Sequence, residues 1–190
     1  PQIGDLAGPD TLFLSIAAGT SIAYFETVLG QHAAIVRAMP NTPAAVGKGI
    51  TALIGNAATK EADLDLAEAL LSAIGQTVRL ETEAQMDAVT AVSGSGPAYV
   101  FHLIETMAAA GVAEGLPEEL AMRLAIATVD GSGTLAASAA QTPEQLRINV
   151  TSPAGTTAAA LEVLMGEDGL GPLMQKAVKA AADRSRELGA

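Results

Sequence analysis

Residues 77–97 read T-V-R-L-E-T-E-A-Q-M-D-A-V-T-A-V-S-G-S-G-P, and the chain changes character inside them. Residues 77–80 read as a short strand. After Thr82 the strand signals stop, and 83–92 read as helix. Ser93 to Gly96 form a turn of small residues. Pro97 then sits just inside the start of a long helix, where its missing N–H would have had no partner anyway. The stretch therefore predicts two architectures in series, an α/β part followed by an all-α part.

Upstream, 12–16 is a short apolar run closed by Ala17-Ala18-Gly19, a strand and turn. Thr20 is the predicted cap of a helix over 21–29, with Gly30 as its stop. Residues 34–39 read as a strand ending at Pro40, and 50–54 as another. A helix opens at Thr59 and stops at Gly75. Strands alternating with helices imply an α/β layer. Downstream, Val100, Leu103, Ile104, Met107, Ala108 and Gly111 keep the spacing of one helix face. Gly115 ends that helix, and Pro117 starts one reaching about residue 140. Thr142 and Gln145 form a capping-box pattern around Pro143. Helices after Thr157 and after Pro172 complete an all-helical second half.

The 190 residues are 49% hydrophobic and only 16% charged, with 3% aromatic and no Trp. Ala, Leu, Val, Ile and Met must build the core. So much apolar side chain with so little charge suggests faces buried between subunits. The net charge of −11 argues against nucleic acid and against anionic membrane surfaces, which both need a positive footprint. With no cysteine, disulfides and thiolate metal sites are excluded; this fits a reducing cytoplasm. No run is apolar for long enough to span a membrane, and none reads as a signal peptide. His32 and His102 are too far apart in sequence to suggest a metal site, so none is expected.

Residues 150–161, V-T-S-P-A-G-T-T-A-A-A-L, are a loop that becomes a helix. The first N–H groups of a helix lack internal partners, and the helix dipole makes that end welcoming to an anion. Gly155 allows close approach to the backbone, and Thr156 and Thr157 add hydroxyls. By local chemistry alone this is either an anion site or an ordinary capped helix start. The loop over 39–43 follows a strand, where ligands of open α/β sheets collect, and Asn41 and Thr42 could hydrogen-bond a carboxamide. Its other reading is a proline-rich turn. Ser93 to Pro97 offer either close approach to a ligand or tight helix packing. Arg37, Lys48 and Arg147 read as solvated or salt-bridged surface groups. Gly94 and Gly96 are not a dinucleotide fingerprint, because they follow a helix rather than a strand.

Four segments carry a resemblance in the same order along the chain: R-A-M-P-N-T-P at 37–43 with V-G-K-G at 46–49, D-A-V-T-A-V-S-G-S-G-P-A-Y at 87–99, T-S-P-A-G-T-T at 151–157, and R-S-R-E-L-G at 184–189. Together they resemble the pyrroline-5-carboxylate reductase family across essentially the whole chain. The resemblance implies the C-terminal part of a Rossmann-like nucleotide-binding domain over 1–82, whose glycine fingerprint would lie upstream of Pro1. A helical dimerisation and substrate-binding domain would follow over 83–190. The implied reaction is reduction of 1-pyrroline-5-carboxylate to L-proline by hydride from NADPH or NADH, the last step of proline biosynthesis, in the cytoplasm. Carried over residue by residue, the N–H groups of Gly155, Thr156 and Thr157 would bind the substrate carboxylate, with Ser152 in the same site. The Thr157 hydroxyl would act on the ring nitrogen as the catalytic contact. Pro1, Met39, Asn41, Thr42 and Asn149 would lie near the cofactor. A homodimer is implied, and larger rings of dimers occur in the family. Two positions depart from its pattern: Ala154 stands where a second glycine is common, and Ile148 where an acidic residue is frequent.

Two rival readings remain at this stage. Another Rossmann-plus-helical dehydrogenase would generally use a lysine in a long helix, but 87–116 and 118–140 contain none. A non-catalytic helical oligomerisation module is the other.

Overall fold

The strand at Ala34–Met39 (β2) is buried on both faces for most of its length, as an apolar run without alternation requires. In the computed structural model, which describes residues 6–8 and 10–189, it lies inside a four-stranded mixed sheet. β1 (Leu12–Ser15) pairs parallel to β2, β3 (Gly49–Gly55) pairs antiparallel to it, and β4 (Gly75–Arg79) pairs parallel to β3. The chain divides into two compact units, 1–97 with 177–190, and 98–176.

In the first unit, α1 (Ile22–Leu29) and α2 (Glu61–Leu71) cover opposite faces of the sheet. Leu29, Ala33 and Ile35 pack with Phe13 and Phe25 on one side. Val36, Ala38 and Leu53 pack with Ala67 and Leu71 on the other. Successive β2 residues alternate between the two clusters, as strand pleat demands. Asn56 latches the layers: its Oδ1 accepts from Ile35 N–H at 3.1 Å, and its Nδ2 donates to Ala33 O and Glu26. Ser21, rather than Thr20, caps α1, accepting from Tyr24 N–H at 3.2 Å. The expected helix from Thr59 starts at Glu61, where the Asp63 carboxylate reaches back to Lys60 N–H.

Past a 3-10 turn at Glu83–Gln85, α3 (Met86–Val89) runs into a π-helical turn at Thr90–Gly94. There Ser95 N–H reaches back five residues to Thr90 O at 2.8 Å. α4 covers Gly96–Ala113, from Ala98 onward in the second unit, and α5 covers Glu118–Ser138. They meet through small residues: Ala108, Ala121 and Ala125 are buried together, and a Cβ on Gly111 would lie 3.3 Å from Ala121 Cβ. Close approach of this kind needs side chains no larger than alanine. α6 (Pro143–Asn149), α7 (Thr156–Leu164) and α8 (Leu170–Gly189) follow, the far end of α8 returning to the first unit. Among the described residues no helix is long and apolar enough to cross a membrane.

Candidate functional site

Because β1 and β2 are parallel neighbours, the loops that follow them leave the same edge of the sheet. β2 ends in Met39 and passes into Asn41 and Thr42. Asn41 Oδ1 accepts from Ile50 N–H at 3.0 Å, folding the loop back on the start of β3. Pro43 lies in the first turn of the 3-10 segment Thr42–Val46 that follows. Met39 shares a face of β2 with Ile35 and Arg37, and its Cε lies where a Cβ on Gly94 would come within 2.7 Å. Two of the motifs read from sequence, at 37–43 and 87–99, thus meet in space. The loop at 16–20 carries no motif legible in the sequence. The rule that ligands collect beyond the carboxyl ends of parallel strands applies to it as much as to 39–43. Gly19 there has φ 74 and packs against Leu188; a Cβ on Gly19 would lie 3.4 Å from Leu188 Cβ.

Arg37 is not the surface group expected. Its side chain is 9% exposed and pairs with Glu83 at 2.6 Å. β2 is covered on both faces, so a charge on it must find a partner or be neutralised. The same Glu83 oxygen accepts from Ile22 N–H at 2.8 Å, at the start of α1. A cleft of about 300 Å³ beside the pair is lined by Ser21, Asp87, Ser185 and Arg186 as well.

In the second unit, α6 is capped by Thr142, which accepts from Gln145 N–H at 3.2 Å. The Gln145 side chain does not close the expected box; it donates to Asn149 Oδ1 at 2.9 Å. Asn149 Nδ2 in turn donates to Gln141 at 3.1 Å, so both ends of its amide are oriented. Thr151 Oγ1 donates to Arg147 O at 2.6 Å and closes α6. The chain then turns through Ser152, Pro153 and Ala154 into α7. Ala154 has φ 57, the left-handed region that glycine enters without penalty. This is a backbone position at which glycine would be less strained than alanine. A Cβ on Gly155 would lie 2.5 Å from Ser152 Oγ.

Gly155 N–H donates to Ser152 O at 3.1 Å, inside the turn. The donors left at the start of α7 are those of Thr156, Thr157 and Ala158, the first helical bond back to the cap being Ala159 N–H to Gly155 O, and no side chain caps this end. Arg147 Nη1 reaches Met165 Sδ at 3.5 Å, tying α6 to the end of α7. The structure thus groups Asn149, Ser152, Gly155, Thr156 and Thr157 along one segment, and Met39, Asn41 and Thr42 along another. Pro1 lies outside the described residues.

Residues 83–188 match the family model for pyrroline-5-carboxylate reductase dimerisation. The chain is 47% identical over 180 residues to a pyrroline-5-carboxylate reductase of Pseudomonas aeruginosa, covering 95% of this chain and 66% of that protein. It is 44% identical over 188 residues to that of Pisum sativum, covering 98% and 67%. The chain spans about two thirds of the length of these curated relatives. Among solved structures, the Coxiella burnetii pyrroline-5-carboxylate reductase superposes with a TM-score of 0.94 at 38% identity, over 100% of this chain and 70% of that one. The Plasmodium falciparum pyrroline carboxylate reductase, solved with NADP bound, gives 0.86 at 34% identity, over 95% and 68%. A mixed sheet with the motif at 39–43 on its edge, a small-residue junction at 93–97, the open helix start at 155–157 and these matches lead to one conclusion: the chain belongs to the pyrroline-5-carboxylate reductase family.

Proposed function

We propose that this chain reduces 1-pyrroline-5-carboxylate to L-proline with hydride from NADPH or NADH, the last step of proline biosynthesis. The observation that carries the reading is the start of α7. A tight turn presents the N–H groups of Thr156 and Thr157 with no capping side chain, and the hydroxyls of Ser152, Thr156 and Thr157 hold no hydrogen bond among the described residues. Such an end suits a carboxylate without any lysine or arginine. In this reading the two N–H groups hold the carboxylate, Gly155 lets the ligand come close, and the Thr157 hydroxyl bonds the ring nitrogen as the catalytic contact.

The edge carrying Met39, Asn41 and Thr42 fits the nicotinamide half of a dinucleotide. The neighbouring loop at 16–20 is Ile-Ala-Ala-Gly-Thr, which offers backbone and short side chains, and Met39 is seated on Gly94 as an apolar floor. Asn149, with its oriented amide, and Pro1 complete the proposed cofactor set. When bound, the nicotinamide supplies the hydride. The chain's own part is orientation, which in favourable cases contributes about 7–11 kcal/mol. A protonated imine is already electrophilic, so no acid–base pair is required of the protein.

By the same reading, residues 1–82 belong to the NAD(P)-binding domain and 83–190 to a helical dimerisation and substrate-binding domain. Phe101, Leu124, Ile126 and Leu135 on α4 and α5 are each more than 40% exposed, which supports their burial in a homodimer. A larger ring of dimers and a cytoplasmic location complete the proposal. The test is oxidation of NADPH and of NADH by the full-length gene product, with and without pyrroline-5-carboxylate. Oxidation that depends on the imino acid supports the reading and ranks the two nucleotides. No turnover by a folded, oligomeric protein rejects it.

A further inference from the structure

One carboxylate oxygen ties together three segments that reach the proposed nucleotide edge. Glu83 Oε1 accepts from Arg37 Nη1 at 2.6 Å and from Ile22 N–H at 2.8 Å. Ile22 opens α1 directly after the loop at 16–20 and its cap, Ser21. Arg37 lies two residues before Met39 on β2. Glu83 itself begins the turn that leads through Met86 to Gly94, the glycine under Met39.

The arrangement matters because the loop at 16–20 has little to hold itself. Ala17, Ala18 and Gly19 bring no polar side chain; Ala17 N–H donates to Ser15 Oγ at 3.2 Å and Gly19 rests on Leu188, so the loop's shape is set by its anchors. β1 fixes one end, and the bond from Ile22 N–H to Glu83 fixes the other. A negative charge at the start of α1 also meets the positive end of the helix dipole. Arg37 is buried enough that its guanidinium must keep this partner.

Resting on the reductase reading above, we propose that Glu83 is a positioning residue for the nicotinamide nucleotide, holding the loop at 16–20 and the loop at 39–43 in one register. It touches neither nucleotide nor imino acid; it acts through Ile22 and Arg37. Pre-organisation of this kind raises affinity by removing the cost of ordering a loop on binding.

The test compares full-length wild type with Glu83→Ala and Glu83→Gln. NADPH binding is titrated by its fluorescence, KM is measured for both substrates, and thermal melts report folding. Glu83→Ala is expected to weaken NADPH binding about tenfold, the scale of one charge-assisted hydrogen bond. Glu83→Gln keeps an oxygen for Ile22 N–H but loses the charge that faces Arg37, and should fall between wild type and Glu83→Ala. KM for the imino acid, whose proposed site is carried by the other unit, should not move. A purely structural role would lower the active fraction and leave the dissociation constant unchanged. Wild-type NADPH affinity in folded Glu83→Ala overturns the proposal. Should that variant not fold, Ile22→Pro decides against Ile22→Ala: both lose the buried Ile22 side chain, while only proline, which suits the first helical position, also removes that N–H. Weakened binding there supports the proposal and unchanged binding overturns it. Wild-type protein that binds neither NADPH nor NADH would overturn the reductase reading and this proposal with it.

Discussion

Ser185 donates a hydrogen bond to Asp87 at 2.6 Å, joining α8 to α3 across 98 positions of sequence. Ser185 is buried, and its partner is a carboxylate, so the bond is of the stronger kind. Ser185→Ala should cost about 1.5–3 kcal/mol of stability. Thermal denaturation checks this, with a fall in Tm of about 2–4 °C per kcal/mol in a chain of this size.

Gly75 begins β4 with φ 146, and a Cβ there would fall 2.0 Å from the backbone oxygen of Gly49. Backbone, unlike a flexible side chain, cannot step aside. Gly75→Ala should therefore force β3 and β4 apart and cost about 4 kcal/mol or more. A denaturant titration would show it as a large drop in midpoint.

Ala154 bears a left-handed backbone on the turn into α7. Ala154→Gly relieves roughly 1–2 kcal/mol of strain but frees the unfolded chain, so a net gain of about 0.5–1 kcal/mol is expected. Turnover should be unchanged, since no donor at the start of α7 is altered. A melt and a kcat/KM measurement on the same preparation test both halves.

Thr157→Ala removes the proposed contact to the ring nitrogen. The loss in kcat/KM should correspond to about 0.5–1.5 kcal/mol for a neutral hydrogen bond, and more if the nitrogen is charged. Unchanged kcat/KM would take Thr157 out of the mechanism.

Lys179, with Arg186 beside it, holds the Asp183 carboxyl below its ordinary value of 3.8. A group depressed in the folded state stabilises the fold above its unfolded pKa and loses that effect as pH falls through the folded one. Melts of wild type and Asp183→Asn should differ near neutrality and converge in acid below that ordinary value. The side chains are exposed, so the difference will be small and will shrink with salt.

The elements were legible where local rules govern. The strand at 34–39 and the stops at Gly30 and Gly115 follow from apolar runs and glycine conformations. The direction of β3 was also within reach: only residues 40–48 separate it from β2, too few for the crossover that parallel strands need. The partner of Arg37 was not, because Glu83 lies 46 positions away and only the folded sheet brings them together. The π-helical turn at Thr90–Gly94 carries no periodicity of its own, and no pattern announces it. At the start of α7 the sequence showed the loop, the glycine and the threonines. Only the geometry showed that Gly155 N–H is engaged in the turn and that Ala154 bears the left-handed backbone.

The first unit is discontinuous, made of 1–97 and 177–190. When a ribosome has produced the sheet, the part of α8 that packs on the first unit has not yet been translated. Leu188 cannot support Gly19, nor Ser185 reach Asp87, until the whole helical segment between has emerged. The nascent sheet must therefore wait in an unfinished state while about 80 further residues are added, at about 5–20 residues per second. Among the described residues, the end of α8 is thus the part of the first unit that is made last.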